Sequence, residues 1–171
     1  RRFERDQYVE VYNLGISGET SSDLLRRFAV ELTSVRPEII LIAIGANDSI
    51  FKRGVEQERQ VSLDTYKENL KQLFSLARAA SKHVFVVGLT IADDSRVQPM
   101  PWGKEGKSYK TSVLKEYDEV LRAAAREAGV VYLDMWNLLT IQDLADGIHP
   151  NAAGYEKMYR TIYGTIGSLL G

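Results

Sequence analysis

The chain of 171 residues contains no cysteine. Disulfides, thiolate metal sites and a cysteine nucleophile are therefore excluded. Histidine is scarce, with only His83 and His149, so any imidazole base must be one of these two. No His/Asp cluster suited to a metal is present, and neither metal nor cofactor is expected. No apolar run approaches the roughly 18 residues that span a bilayer, so stable membrane insertion is not expected. Neither sign of charge dominates. Lys and Arg number 22 against 23 Asp and Glu, for a net charge of −1. That balance offers no electrostatic case for nucleic acid or an acidic membrane surface. What is present, 44% hydrophobic and 26% charged residues, is the composition of an ordinary globular protein of single-domain length.

Strand and helix signals alternate along the chain. Arg1 to Asp6 (RRFERD) resembles the charged tail of a helix, which suggests a sequence beginning in mid-fold. Tyr8 to Asn13 is a short β-branched and aromatic run, the signature of a strand. Thr20, Ser21, Ser22 and Asp23 offer N-caps to a helix from Leu24 to Val35, which Pro37 breaks. Ile39 to Ile44 is apolar without alternation, as in a parallel strand buried on both faces. A helix is predicted from Leu63 to Ala80 and a buried strand from Val84 to Leu89. Ala92 to Lys107, with Pro99, Pro101, Trp102, Gly103 and Gly106, reads as a long loop. Such loops in α/β domains often bind ligands or act as lids. A helix from Ser108 to Ala128 ends at Gly129, a strand follows at Val130 to Asp134, and the last helix covers Asn151 to Leu170. Four strands alternating with four helices predict one α/β domain over residues 1–171, a doubly wound parallel sheet in three layers.

Ligands of open α/β sheets bind beyond the carboxyl ends of the strands. Three segments fall there. Asn13 to Thr20 carries Gly15 and Gly18, where a backbone N–H can approach an anion closely. Gly45-Ala46-Asn47-Asp48 follows the second strand, and Asn47 can present its amide as a second donor. Two donors aimed at one point make an oxyanion hole. Asp146-Gly147-Ile148-His149-Pro150 sets a carboxylate three positions before an imidazole. The carboxylate can hold Nδ1–H and leave Nε2 as a general base. Each segment has a plainer reading. Gly15 and Gly18 serve turns, Asn47 and Asp48 cap helices, and Asp146 can simply cap a turn.

Together, in this order, the segments resemble the later sequence blocks of the GDSL, or SGNH, hydrolase family. The resemblance covers nearly the whole chain. It implies a flavodoxin-like sheet, ester hydrolysis through an acyl-enzyme, oxyanion donors at Gly18 and Asn47, and an Asp146–His149 acid–base pair. The implied partner is a small-molecule ester. The family's first block, a strand followed by Gly-Asp-Ser with the nucleophilic serine, has no counterpart here, and only seventeen residues precede Gly18. A serine and a strand upstream of Arg1 are therefore expected, leaving residues 1–171 N-terminally incomplete. The alternative is a binding module, or inactive fragment, that keeps the pocket without the nucleophile. Ser17 and Ser49 are weak substitutes, since neither sits on a strand-to-helix turn that would expose it. Trp102 and Met100 either line an acyl pocket or pack the long loop onto the body, and Arg96 carries the same ambiguity. Asp48 is expected to order the Asn47 loop, Asp134 to support the site or cap a turn, and His83 to stand at a strand entry. The sequence does not indicate oligomeric state. A cytoplasmic location is the expectation, any leader lying upstream of Arg1.

Overall fold

A computed structural model describes residues 9–52 and 55–170. Helix α1 (Ser21–Val35) starts where the sequence offers a capping box. Thr20 Oγ1 accepts from the Asp23 N–H, and the Asp23 carboxylate accepts in return from the Thr20 N–H. Arg36 turns left-handed at its end and Pro37 cannot continue it. Strand β1 (Ile39–Ile42) follows, then short strands β2 (Phe51–Lys52) and β3 (Val55–Arg59). Helix α2 (Leu63–Ala80) is capped by Ser62. Next come β4 (His83–Val87), β5 (Lys107–Ser108), α3 (Thr111–Ala128), β6 (Val131–Leu133) and α4 (Ala152–Ile166). Gly129 ends α3 in the left-handed conformation, and Asn151 caps α4.

The main sheet has the order β1-β4-β6, all parallel, with Ile40 opposite Val84 and Phe85 opposite Val131. Its side chains alternate between two apolar layers. Ile40, Ile42, Val84 and Val86 join a core with Leu70, Leu73 and Phe74 of α2 and Leu114, Tyr117 and Leu121 of α3. Phe28 carries α1 onto the same cluster. On the other face Phe85, Val87, Leu133 and Met135 pack against Met158, Ile162 and Ile166 of α4. Helices on both faces of a parallel sheet make the predicted three-layer α/β fold. Among the described residues no helix is long and apolar enough to cross a membrane.

The structure departs from the sequence reading in four places. Residues 9–13 form no strand, and Val11 is 84% exposed. Tyr8 and the Arg1–Asp6 segment lie outside the described residues. A strand exists by pairing, and the main sheet has three strands among the described residues, not four. Strand β1 is not buried on both faces. Leu41 is 43% exposed on the face opposite Ile40 and Ile42, because among the described residues β1 is the edge of the sheet and α4 packs over β4 and β6. A second, antiparallel sheet of order β3-β2-β5 forms from segments that were not read as strands. Finally, the third helix starts at Thr111 because Ser108 belongs to β5, and the last helix ends at Ile166 before a 3-10 turn at Gly167–Leu169.

Candidate active site

The turn before α1 and the turn after β1 are bound to each other. Gly18 has φ +83°, a conformation that costs glycine nothing and other residues about 1–2 kcal/mol. The Arg27 guanidinium grips the Glu19 carboxylate and ties this turn back onto α1. Asn47 opens a 3-10 turn, Asn47–Ser49. Its Nδ2 donates to the Glu19 carbonyl at 2.9 Å, which uses one of the two amide hydrogens. Its Oδ1 accepts from the Tyr109 hydroxyl at 2.8 Å. Beside it Asp48 is fully buried and accepts from the Ser21 N–H at 3.0 and 3.1 Å and from the Ser21 hydroxyl. Burial pushes the Asp48 carboxyl above its ordinary pKa, against the opposing pull of those Ser21 hydrogen bonds. Asn69 completes the cluster by donating to the hydroxyls of Ser21 and Ser22. Asp48 thus holds the two turns in register, in keeping with the ordering role expected of it.

The Asp146–His149 segment is a tight loop with a pinned base. The Ala145 N–H donates to the His149 carbonyl at 2.8 Å, Leu144 bridges Pro150, and the Asn151 N–H donates to the Asp143 carbonyl at 2.7 Å. Asp143 caps the preceding turn through Thr140 and pairs with Lys157 of α4. Within the loop the two oxygens of Asp146 divide the work. Oδ1 accepts from the N–H groups of Ile148 and His149 at 3.1 and 2.9 Å, and Oδ2 faces His149 Nδ1 at 2.7 Å. The turn-capping and imidazole-holding readings of this motif are therefore both met. Burial raises the Asp146 pKa, but the hydrogen bonds from His149 and Ile148 outweigh it and hold the carboxyl below the ordinary carboxylate range. An ionised carboxylate can only accept, so it selects the tautomer with the proton on Nδ1. Nε2 is then a free acceptor on a side chain 61% exposed.

The long loop closes over this pair. The Asp93 N–H donates to the Gly147 carbonyl at 2.7 Å, and Arg96 donates to the Ala145 carbonyl at 2.8 Å. Arg96 is thus bonded to the histidine loop itself. Trp102 is 48% exposed, with its ring centroid 6.1 Å from that of His149. Met100, 5% exposed, lies in the main core and packs the loop onto the body. Ser49 is wholly buried and donates to the Ala46 carbonyl, as a cap would, while Ser17 is exposed in its turn. Asp134 bonds Arg122 and the Trp136 N–H. His83 is exposed at the entry of β4, at the opposite end of the sheet. Tyr109, which sequence reasoning did not single out, connects the parts. Its hydroxyl bonds Asn47, and its pKa is raised by burial and then by the nearby Asp146 charge. An aromatic residue just before a helix carries no local mark of such a role.

The profile of the GDSL-like lipase/acylhydrolase family matches residues 1–157, and the chain belongs to that family. It is 32% identical over 128 residues to a multidomain esterase of Ruminococcus flavefaciens, covering 71% of this chain and only 14% of that protein. It is 25% identical over 169 residues to an acetylxylan esterase of Geobacillus stearothermophilus, covering 93% of this chain and 73% of the relative. A crystal structure of an acetylxylan esterase from that organism superposes with a TM-score of 0.72 at 25% identity, over 91% of this chain and 71% of that one. The matched structures of that enzyme include catalytic mutants at a serine, a histidine and an aspartate. Family and relatives support ester hydrolysis as the activity.

Proposed function

We propose that the protein is a serine esterase of the GDSL type that cleaves carboxylic esters of small molecules through an acyl-enzyme, with the nucleophilic serine supplied from upstream of Arg1. The observation that carries this is the 2.7 Å contact of Asp146 Oδ2 with His149 Nδ1, which leaves Nε2 exposed as a base. The catalytic serine, aspartate and histidine of the acetylxylan esterase support the same three roles.

The serine Oγ attacks the ester carbonyl while His149 Nε2 takes its proton. The carbonyl oxygen becomes an oxyanion, which accepts from the Gly18 N–H and from the Asn47 Nδ2 hydrogen not used by Glu19. Each such donor lowers the barrier by about 3 kcal/mol, roughly a hundredfold in rate or more. The tetrahedral intermediate expels the alcohol, which takes the proton back from His149. Water then attacks the acyl-enzyme through the same base and releases the acid. Asp146 keeps the imidazole oriented and stabilises it when protonated. Trp102 lies beside His149 and forms one wall for the acyl or alcohol group.

The competing reading is a binding module that keeps this pocket without a nucleophile, favoured by the absence of Gly-Asp-Ser from the sequence. Fluorophosphonate labelling of the natural protein, followed by peptide mapping, separates the two. An adduct on a serine upstream of Arg1, lost in His149→Ala, is expected. An adduct on Ser17 relocates the nucleophile. No adduct leaves the binding module.

A further inference from the structure

We propose that Tyr109 is a positioning residue that fixes which end of the Asn47 amide faces the substrate. The inference rests on the oxyanion role of Asn47 proposed above. A primary amide has two faces of similar shape and opposite chemistry: Nδ2 donates and Oδ1 only accepts. Rotated by half a turn, Asn47 would present an oxygen to the oxyanion and repel it. Two contacts prevent this. The Glu19 carbonyl can only accept, so it demands Nδ2, and the Tyr109 hydroxyl donates to Oδ1 at 2.8 Å. The hydroxyl also polarises the amide, because a hydrogen bond received at Oδ1 strengthens the donors on Nδ2.

The second sheet keeps the phenol in place. Asn47 stands four residues before β2, and Tyr109 directly follows β5. These two strands pair antiparallel, with Phe51 opposite Ser108. The Tyr109 N–H donates to the Val97 carbonyl at 3.1 Å, which anchors the residue to the long loop as well. With the ring 5% exposed, little water competes for the bond. Burial and then the Asp146 charge push the phenol pKa upward, so the hydroxyl stays protonated and able to donate. The small sheet, whose Phe51 also joins the main core, thereby fixes the distance between the oxyanion amide and its orienting hydroxyl.

The test is a double-mutant cycle in the natural protein with its upstream sequence, reading kcat, KM and melting temperature with p-nitrophenyl acetate. Tyr109→Phe should lower kcat roughly tenfold with KM nearly unchanged, and lower the melting temperature by only about 2–4 °C for the acceptor left unpaired at Asn47 Oδ1. Asn47→Ala should lower kcat roughly a hundredfold or more. In the Asn47→Ala background, Tyr109→Phe should have no further effect on kcat, because its only route to the reaction is gone. A full kcat in Tyr109→Phe, or costs that multiply in the double variant, overturns the role of Tyr109 and leaves the oxyanion hole standing. A parent without esterase activity, or an Asn47→Ala variant with the parent's kcat, removes the reading beneath it.

Discussion

Asp146 has two separable jobs, and substitution can split them. In Asp146→Asn the new Oδ1 can still accept from the N–H groups of Ile148 and His149, which now lie at 3.1 and 2.9 Å from the carboxylate. The turn survives. The new Nδ2 faces His149 Nδ1 as a donor, which forces the imidazole proton onto Nε2 and removes the base. The same exchange in a hydrolase triad costs about ten-thousandfold in kcat. His149 is more exposed here and water competes for Nδ1, so a loss of about a thousand- to ten-thousandfold is expected. Asp146→Ala loses both jobs. Two backbone donors of a partly buried turn lose their acceptor at about 0.5–1 kcal/mol each. For 171 residues that lowers the melting temperature by about 2–8 °C, at about 2–4 °C per kcal/mol.

The assay is kcat/KM on p-nitrophenyl acetate with a thermal melt of each variant. Both should be nearly inactive, and only the alanine variant should melt early. If Asp146→Asn keeps activity within threefold of the parent, the carboxylate does not select the tautomer and the pair is not the acid–base machinery. If the two variants melt together, the division of labour between Oδ1 and Oδ2 is wrong.

What was legible in the sequence was what local rules decide. Thr20 with Asp23, Ser62 before Leu63, and Gly129 after Ala128 mark helix ends through hydrogen bonds reaching three or four residues, so the helices could be read off the chain. The Asp146–His149 contact was legible for the same reason, since its three-residue spacing closes one turn. Pairings across the chain were not. Tyr8 to Asn13 has strong strand propensity, yet its described residues form no strand, because propensity supplies no partner. Val55–Arg59 reads VEQER, with one β-branched residue, and still forms a strand because β2 pairs with it. Tyr109 lies 62 residues from the amide it holds, beyond any local pattern.

Two more variants test the histidine loop. Gly147 has φ +103°, and a Cβ there would sit 2.9 Å from Arg96 Cβ and from Val97 Cγ1. Gly147→Ala should cost about 2–4 kcal/mol through strain and overpacking, seen as an early melt. A melting temperature within 2 °C of the parent would mean that the long loop does not press on this turn. Asp143 anchors the other end of the loop. The Lys157 ammonium first, then the Thr140 hydrogen bonds, hold its carboxyl down at about 2, against an ordinary value of 3.8. A depressed carboxylate stabilises the fold fully above its unfolded pKa and loses that stabilisation as pH falls towards the folded value. Asp143→Asn should therefore melt below the parent at pH 7, and the gap should close progressively from about pH 4 towards pH 2. Melts of both proteins across this range decide it. A gap that stays constant from pH 7 to pH 3 would show that Asp143 acts through shape and not through its charge on Lys157.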